Sequence, residues 1–403
     1  MNRVPALATI ALLLVAAVVG FGSSPAVGSS SLEPVSVGST VETNDLATDD
    51  SNASRTRLEL PGEPHHENAR LSLDVGTTLA IGDGQFETRY QQELDQRRIA
   101  DADGDERLVS QFTDRIESRI DELRDRERAA VKAYAAGETS SREFARQLVL
   151  ISAEATQLER QLSTLKDVTD ERETALRIDS LTVRLQSRLG PVHETLEQDL
   201  NGEGTADVAV AATTEGYVLG WLDRSSDTYH RHAIRYDARN LGGDVTLATP
   251  NDGFERVRDL YPETDTNEVF ITSARYANQA GLIRINVNYP EGPVTLYLDT
   301  ASAEVFHEER RLDVEEMPRS TAINETTDGV RIVVERTFDN GPTLVKAFDA
   351  ETDEPTGVTL AADGRDVGGT GGTGERWFVA PPGTYTLSVS DGDAQFNVTV
   401  PAE

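Results

Sequence analysis

The segment FARQLVLISAEATQLERQLSTL, residues 144–165, sets Phe144, Leu148, Ile151, Ala155, Leu158, Leu162 and Leu165 at alternating spacings of four and three. This a/d seam predicts a helix that must bury one stripe against a partner helix. The preceding segment offers that partner. Leu108, Phe112, Ile116, Ile120, Leu123, Ala130 and Tyr134 fall along one stripe of a helix closed by Gly137, and Ser140 with Glu143 forms a capping box that opens the next helix. After Asp170 and Glu173, Ile178, Leu181, Leu185 and Leu189 continue a third helix, stopped at Gly190-Pro191, and residues 86–99 add a further one. The expectation is an α-helical coiled-coil bundle over residues 70–200, with Arg-carboxylate pairs on its solvated flanks.

Outward toward the N-terminus, the pattern changes twice. Residues 27–69 are rich in Ser, Thr, Asn, Asp and Glu and poor in large apolar side chains, which predicts a disordered acidic tether. His65-His66-Glu67 at its end has no second ligand cluster nearby in sequence and reads as solvated loop. Residues 1–26 carry Arg3, an apolar run from Ala6 to Val19 and a small-x-small site at Ser24-Pro25-Ala26, the pattern of a signal peptide. No twin arginine precedes the run, so the general secretory route is expected. Retention of the same run as a membrane anchor is the competing reading.

Composition limits the partners. The 403 residues hold 70 acidic and 38 basic side chains, a formal charge of −32, and Lys132, Lys166 and Lys346 are the lysines. Such a surface repels itself in dilute buffer and is screened in molar salt, which points to a halophile. Phosphate binding needs a basic face, so nucleic acid is not an expected partner. The chain has no cysteine, which removes disulfides, thiolate chemistry and a lipidated cysteine.

Toward the C-terminus the helical period ends near Asn201-Gly202-Glu203-Gly204 and strand signals replace it. Asp252 to Tyr261 reads as a short helix ended by Pro262. Ile283, Ile285, Val287 and Tyr289 alternate with polar residues, turn at Pro290-Glu291-Gly292-Pro293, and continue into Val294, Leu296 and Leu298, a hairpin with one buried face. This helix, the hairpin and the text VTLYLDTASAEVFHEERR resemble a PepSY-type module over about Phe254 to Arg311, with Ala303 where that family usually has glycine. The resemblance implies an exported α+β module associated with peptidase inhibition or ligand binding.

The last unit contains GTGGTG, residues 369–374, which satisfies the G-x-G-x-x-G dinucleotide fingerprint. That fingerprint functions only between a strand and a helix. Here it runs into Glu375–Val379, a strand, then Pro381-Pro382-Gly383, and then alternating Tyr385, Leu387 and Val389, so it reads as a loop between strands. LVKAFDAETDEPTGVTL followed by WFVAPPGTYTLSV resembles carboxypeptidase-regulatory-like and related immunoglobulin-like β-sandwiches of surface proteins. The whole order of features resembles a haloarchaeal family of exported proteins, which implies a habitat and not an activity. The expected fold class is thus multidomain: a coiled-coil bundle at 70–200, an α+β module with an antiparallel sheet at 205–312, and an all-β sandwich at 320–403.

Candidate chemistry is sparse. Asp101, Asp103 and Asp105 alternate as hard-cation ligands would, yet Glu106 and Phe112 occupy the positions where an EF-hand needs glycine and a bidentate glutamate. Capping of the following helix competes with cation binding there. Ser163-x-x-Lys166 lacks the companion motifs of penicillin-recognising enzymes. His230 and His232 fall on one strand face, with no third ligand that the sequence can name, and His193 and His307 are isolated. Asn52, Asn324 and Asn397 head glycosylation sequons. The expectation is a non-enzymatic, exported, cell-surface or secreted protein without a cofactor. Its partners would be proteins or a second copy through the coiled coil, and a membrane only if the N-terminal run is retained. Regulation of a peptidase or cell-wall enzyme by the PepSY-like module is the alternative.

Overall fold

The structure, a computed structural model, describes residues 55–71, 97–98, 105–186, 206–266, 268–277, 280–392 and 394–402. Four α-helices lie among the described residues: α1 (Glu106–Ala135), α2 (Ser141–Val168), α3 (Arg172–Gln186) and α4 (Pro250–Leu260). None of them is long and apolar enough to cross a membrane.

The framework is an antiparallel sheet of eight strands: β1 (His65–Leu71), β2 (Ala206–Thr213), β3 (Gly216–Asp223), β4 (Thr228–Arg235), β5 (Phe270–Ala277), β6 (Leu282–Tyr289), β7 (Gly292–Asp299) and β8 (Val305–Asp313). Their order is β1-β2-β3-β4-β8-β7-β6-β5. The strand β1 pairs antiparallel with β2, His65 opposite Ala212 and Leu71 opposite Ala206, so α1, α2 and α3 are inserted between two neighbouring strands of one sheet. At the hairpin, Tyr289 stands opposite Gly292, and the apolar residues of β6 alternate into the core.

This overturns the expected fold class. Among the described residues the protein is mostly β, and the helices form no extended coiled-coil bundle; these residues belong to one compact unit. The seam is real along part of its length: Val109, Phe112, Ile116, Ile120 and Leu123 cluster with Ile151 to Leu165 and with Ile178, Leu181 and Leu185. At the hairpin end it faces the sheet instead. Val131, Tyr134, Phe144, Ala145, Leu148 and Val149 pack on Val208, Val210, Tyr217, Leu219 and Trp221. The strand β1 fixes this end, since the Glu67 carboxylate accepts from the Ser141 amide at 2.9 Å and the His65 ring meets Tyr134 edge-on at 5.0 Å.

Residues 55–69 of the expected tether are likewise placed by tertiary contacts, while 1–54 lie outside the described residues. Arg55 pairs with Glu291 at 3.1 Å, the Thr56 hydroxyl donates to Glu263 at 2.9 Å, and Leu58 is buried under the sheet.

The C-terminal strands form two four-stranded antiparallel sheets. Strands β9 (Ser320–Thr327), β10 (Val330–Arg336), β11 (Pro342–Asp349) and β14 (Glu375–Val379) make one, and β12 (Thr359–Ala362), β13 (Arg365–Gly369), β15 (Tyr385–Asp391) and β16 (Ala394–Val400) the other. They enclose one core that includes Ile332, Val345, Leu360, Phe378, Leu387 and Val389. The GTGGTG stretch joins β13 to β14 through a 3-10 turn, Gly371–Thr373, and no helix follows it. Gly374 has φ +71, and a Cβ there would lie 2.7 Å from the Ala347 carbonyl oxygen, so this glycine serves a tight turn.

Candidate functional site

Strands β4 and β8 are neighbours at the middle of the large sheet, and their alternation sends two different sets of polar side chains to its two faces. Toward α4 go Tyr229, Arg231, Glu308 and Arg310. Toward the helical hairpin go His230, His232, His307 and Glu309. The register sets Arg231 opposite Arg310 and His232 opposite Glu309.

On the first face Glu308 is fully buried and its acceptor positions are filled. Its Oε1 accepts from Arg231 at 2.6 Å and from Arg310 at 2.8 Å. Its Oε2 accepts from Arg310 at 2.9 Å, from the Tyr261 hydroxyl at 2.9 Å and from the Leu58 amide at 3.1 Å. Burial alone would raise this carboxyl's pKa. The Arg310 and then the Arg231 guanidinium outweigh it and hold the group down at about 2. A carboxylate so saturated neither offers a proton near neutral pH nor has a lone pair to spare, so it locks strands rather than performing acid-base chemistry.

Beside it opens a cavity of about 280 Å³, lined by Arg57, His66, Ala211, Tyr229, Arg231 and Asn340 among others. Its walls come from three places: the sheet, the 57–68 strap, and the Phe338–Asn340 loop of the sandwich. The Arg57 guanidinium lies 3.9 Å over the Phe338 ring, and burial, then the nearby Arg231 charge, lowers its pKa. Gly220 leaves room for the Tyr229 hydroxyl, which a Cβ at that position would approach to 2.5 Å.

On the second face His232 Nδ1 and His307 Nε2 are 3.3 Å apart, and the same His307 Nε2 lies 3.3 Å from Glu309 Oε1. Both imidazoles are fully buried, whereas the Glu309 side chain is 18% exposed. The Tyr217 hydroxyl is 3.4 Å from His232 Nε2, and the Tyr297 ring stacks on His307 at 4.4 Å. His307 Nδ1 and Glu309 Oε1 are buried without a hydrogen bond. His230 stands apart, stacked on Trp221 at 4.3 Å; burial, then the Arg311 charge, lowers its pKa to about 4.

The residues singled out from the sequence are thus dispersed. Asp101 and Asp103 lie outside the described residues, and Asp105 is the N-cap of α1, accepting from the Arg107 amide at 3.0 Å. Asn52 and His193 are also outside, while Asn324 on edge strand β9 and Asn397 on edge strand β16 are exposed. Ser163 and Lys166 are exposed on α2, and Lys166 pairs with Asp179. His232 shares its strand face with His230, and on that face it meets His307 from a strand 75 residues on. Glu309 escaped notice because the strand text HEERR reads as surface charge. The alternation of His307 with Glu309 was the available signal.

The family boundary near residue 320 falls where the sandwich begins, whereas the one near residue 205 falls inside the eight-stranded sheet, between β1 and β2. Residues 321–398 match the archaeal fibronectin-III type-like domain, and residues 208–318 match the family of unknown function DUF7094. Comparison with curated proteins and with solved structures returns no match. Residues 1–205, half of the 403, match the domain of unknown function DUF7096, and the chain belongs to that family.

Proposed function

We propose that the protein is an exported, non-enzymatic binding protein of a halophile's cell surface, and that it holds its partner in the cavity between the eight-stranded sheet and the fibronectin-III-like sandwich. The observation that carries this reading is the shared wall. Sheet, strap and sandwich loop each contribute lining residues, so a bound group bridges all three. The archaeal fibronectin-III-like match, the N-terminal apolar run and the charge of −32 support a place outside the cell. The test expresses the full chain in a haloarchaeal host and follows surface proteolysis of intact cells, then capture from envelope extracts at high salt. Wild-type chain should be surface-accessible or in the medium and recover a component that Ala211→Leu, which adds bulk at a residue lining the cavity, loses. Confinement to the cytosol, or equal capture by the variant, overturns the reading.

A second reading, regulation of an extracytoplasmic peptidase or cell-wall enzyme, rests on the resemblance of about Phe254 to Arg311 to a PepSY-type module. Ala303, at the position where PepSY-type modules usually have glycine, adopts φ +59 and closes the β7–β8 turn with its amide donating to the Asp299 carbonyl at 3.0 Å. Recovery of a hydrolase in the same capture experiment would favour it.

A further inference from the structure

We propose that His232, His307 and Glu309 form a three-donor binding site for a divalent transition-metal ion of the zinc class. In a tetrahedral site with bonds of about 2.0–2.1 Å, any two donors lie about 3.3 Å apart. Here two of the three edges, His232 Nδ1 to His307 Nε2 and His307 Nε2 to Glu309 Oε1, are each 3.3 Å, and all three atoms lie within 4.8 Å of one another.

Hydrogen bonding accounts for less of this arrangement. His307 Nε2 carries at most one hydrogen, yet it faces both the His232 nitrogen and the Glu309 oxygen, and Glu309 Oε1 makes no hydrogen bond. A cation at the centre accepts a lone pair from each of the three donors at once. The surroundings hold the donors in place. The Tyr217 hydroxyl lies 3.4 Å from His232 Nε2 and the Tyr297 ring stacks on His307, which positions both imidazole planes. Strand pairing across β4 and β8 fixes the backbone under all three residues.

The donor set selects the metal. Two imidazoles and one carboxylate suit zinc, cobalt, nickel or copper, whereas calcium and magnesium ask for oxygen alone. Three protein donors leave a fourth position for water or for a group brought by a partner. Glu309, the partly exposed member, marks the side from which the ion enters. The site stands independently of the cavity on the other face of the sheet.

The test uses the full chain without an affinity tag, stripped by chelator and held at high salt. Zinc or cobalt is added, and metal content is measured after desalting together with the visible spectrum of the cobalt form. The expected result is one ion per chain, a tetrahedral cobalt spectrum, and a rise in thermal midpoint with zinc but not with magnesium or calcium. Glu309→Gln, with its fold checked by circular dichroism, should weaken binding by at least about tenfold. Three results overturn the proposal: a folded wild-type chain retaining less than a tenth of an equivalent, an octahedral cobalt spectrum, or affinity unchanged in the folded variant. The last would place the ion elsewhere, for example on His65-His66. Should the variant not fold, stoichiometry and spectrum of the wild-type chain decide.

Discussion

Glu308 shows how one buried carboxylate can tie distant parts of this chain together. It collects two guanidiniums, a tyrosine and the Leu58 amide, and Arg231 in turn donates to the Leu58 carbonyl at 2.7 Å. Glu308→Gln leaves two buried cations under-compensated and should destabilise the protein by about 3–5 kcal/mol in urea titration. Its pH signature has a definite sign. The folded carboxyl sits at about 2, below its ordinary value of 4.5, so the unfolded chain takes up the proton first. The contribution is therefore fully present above 4.5 and is lost as pH falls from there through about 2. The difference between wild type and Glu308→Gln, measured across that window at constant salt, should shrink. A constant difference would show that Glu308 is not held ionised. None of this was legible in the sequence: HEERR announces charge, and only the register with Arg231 on another strand shows that part of that charge is buried. The same holds for His232, whose ring nitrogen meets a residue on β8 that no local spacing reveals.

At the scale of elements, the helical periodicity and the pairing of α1 with α2 are legible in the sequence, and the packing of their hairpin end on the sheet is not. The seam residues Phe144 to Leu165 are buried at four- and three-residue spacings, as a helical period requires. A free-standing coiled coil needs only that stripe. The additional burial of Val131, Ala145 and Val149, off the stripe, is what a second packing surface demands, and it is where the hairpin meets Trp221 and Tyr217. Strand β6 and its turn into β7 were legible because alternation and the Pro-Glu-Gly-Pro turn are local signals. Residues 55–69 were not, because their order comes from polar anchors such as Arg55 to Glu291, more than 200 positions away, rather than from apolar composition. The two readings of this segment predict different outcomes for truncation. A tether can be removed without consequence. Here, a chain beginning at residue 72 loses β1, exposes the edge of β2, and takes the Leu58 amide from Glu308. Its thermal midpoint should fall well below that of a chain beginning at residue 50, with a tendency to associate through β2. Equal midpoints would restore the tether.

For the whole molecule, the deciding quantity is the excess of 70 acidic over 38 basic residues. Surface pairs such as Arg146 with Glu143 and Lys166 with Asp179 each contribute little, roughly 0–1 kcal/mol, and cannot offset the summed repulsion of the remaining carboxylates. Screening can, since the Debye length falls from about 10 Å at 0.1 M salt to about 3 Å at 1 M. Buried pairs respond differently, because ions do not reach them. The Glu308 network lies under the strap, so its contribution should stay the same while the surface term changes. Two curves test this together. The unfolding midpoint of the wild-type chain should climb steeply with potassium chloride up to about 1 M and more slowly beyond, and glucose at matched water activity should not reproduce the climb. The Glu308→Gln curve should run parallel and lower throughout. A wild-type midpoint flat in salt would remove the halophile reading, and curves that converge at high salt would show that the Glu308 network is open to solvent ions.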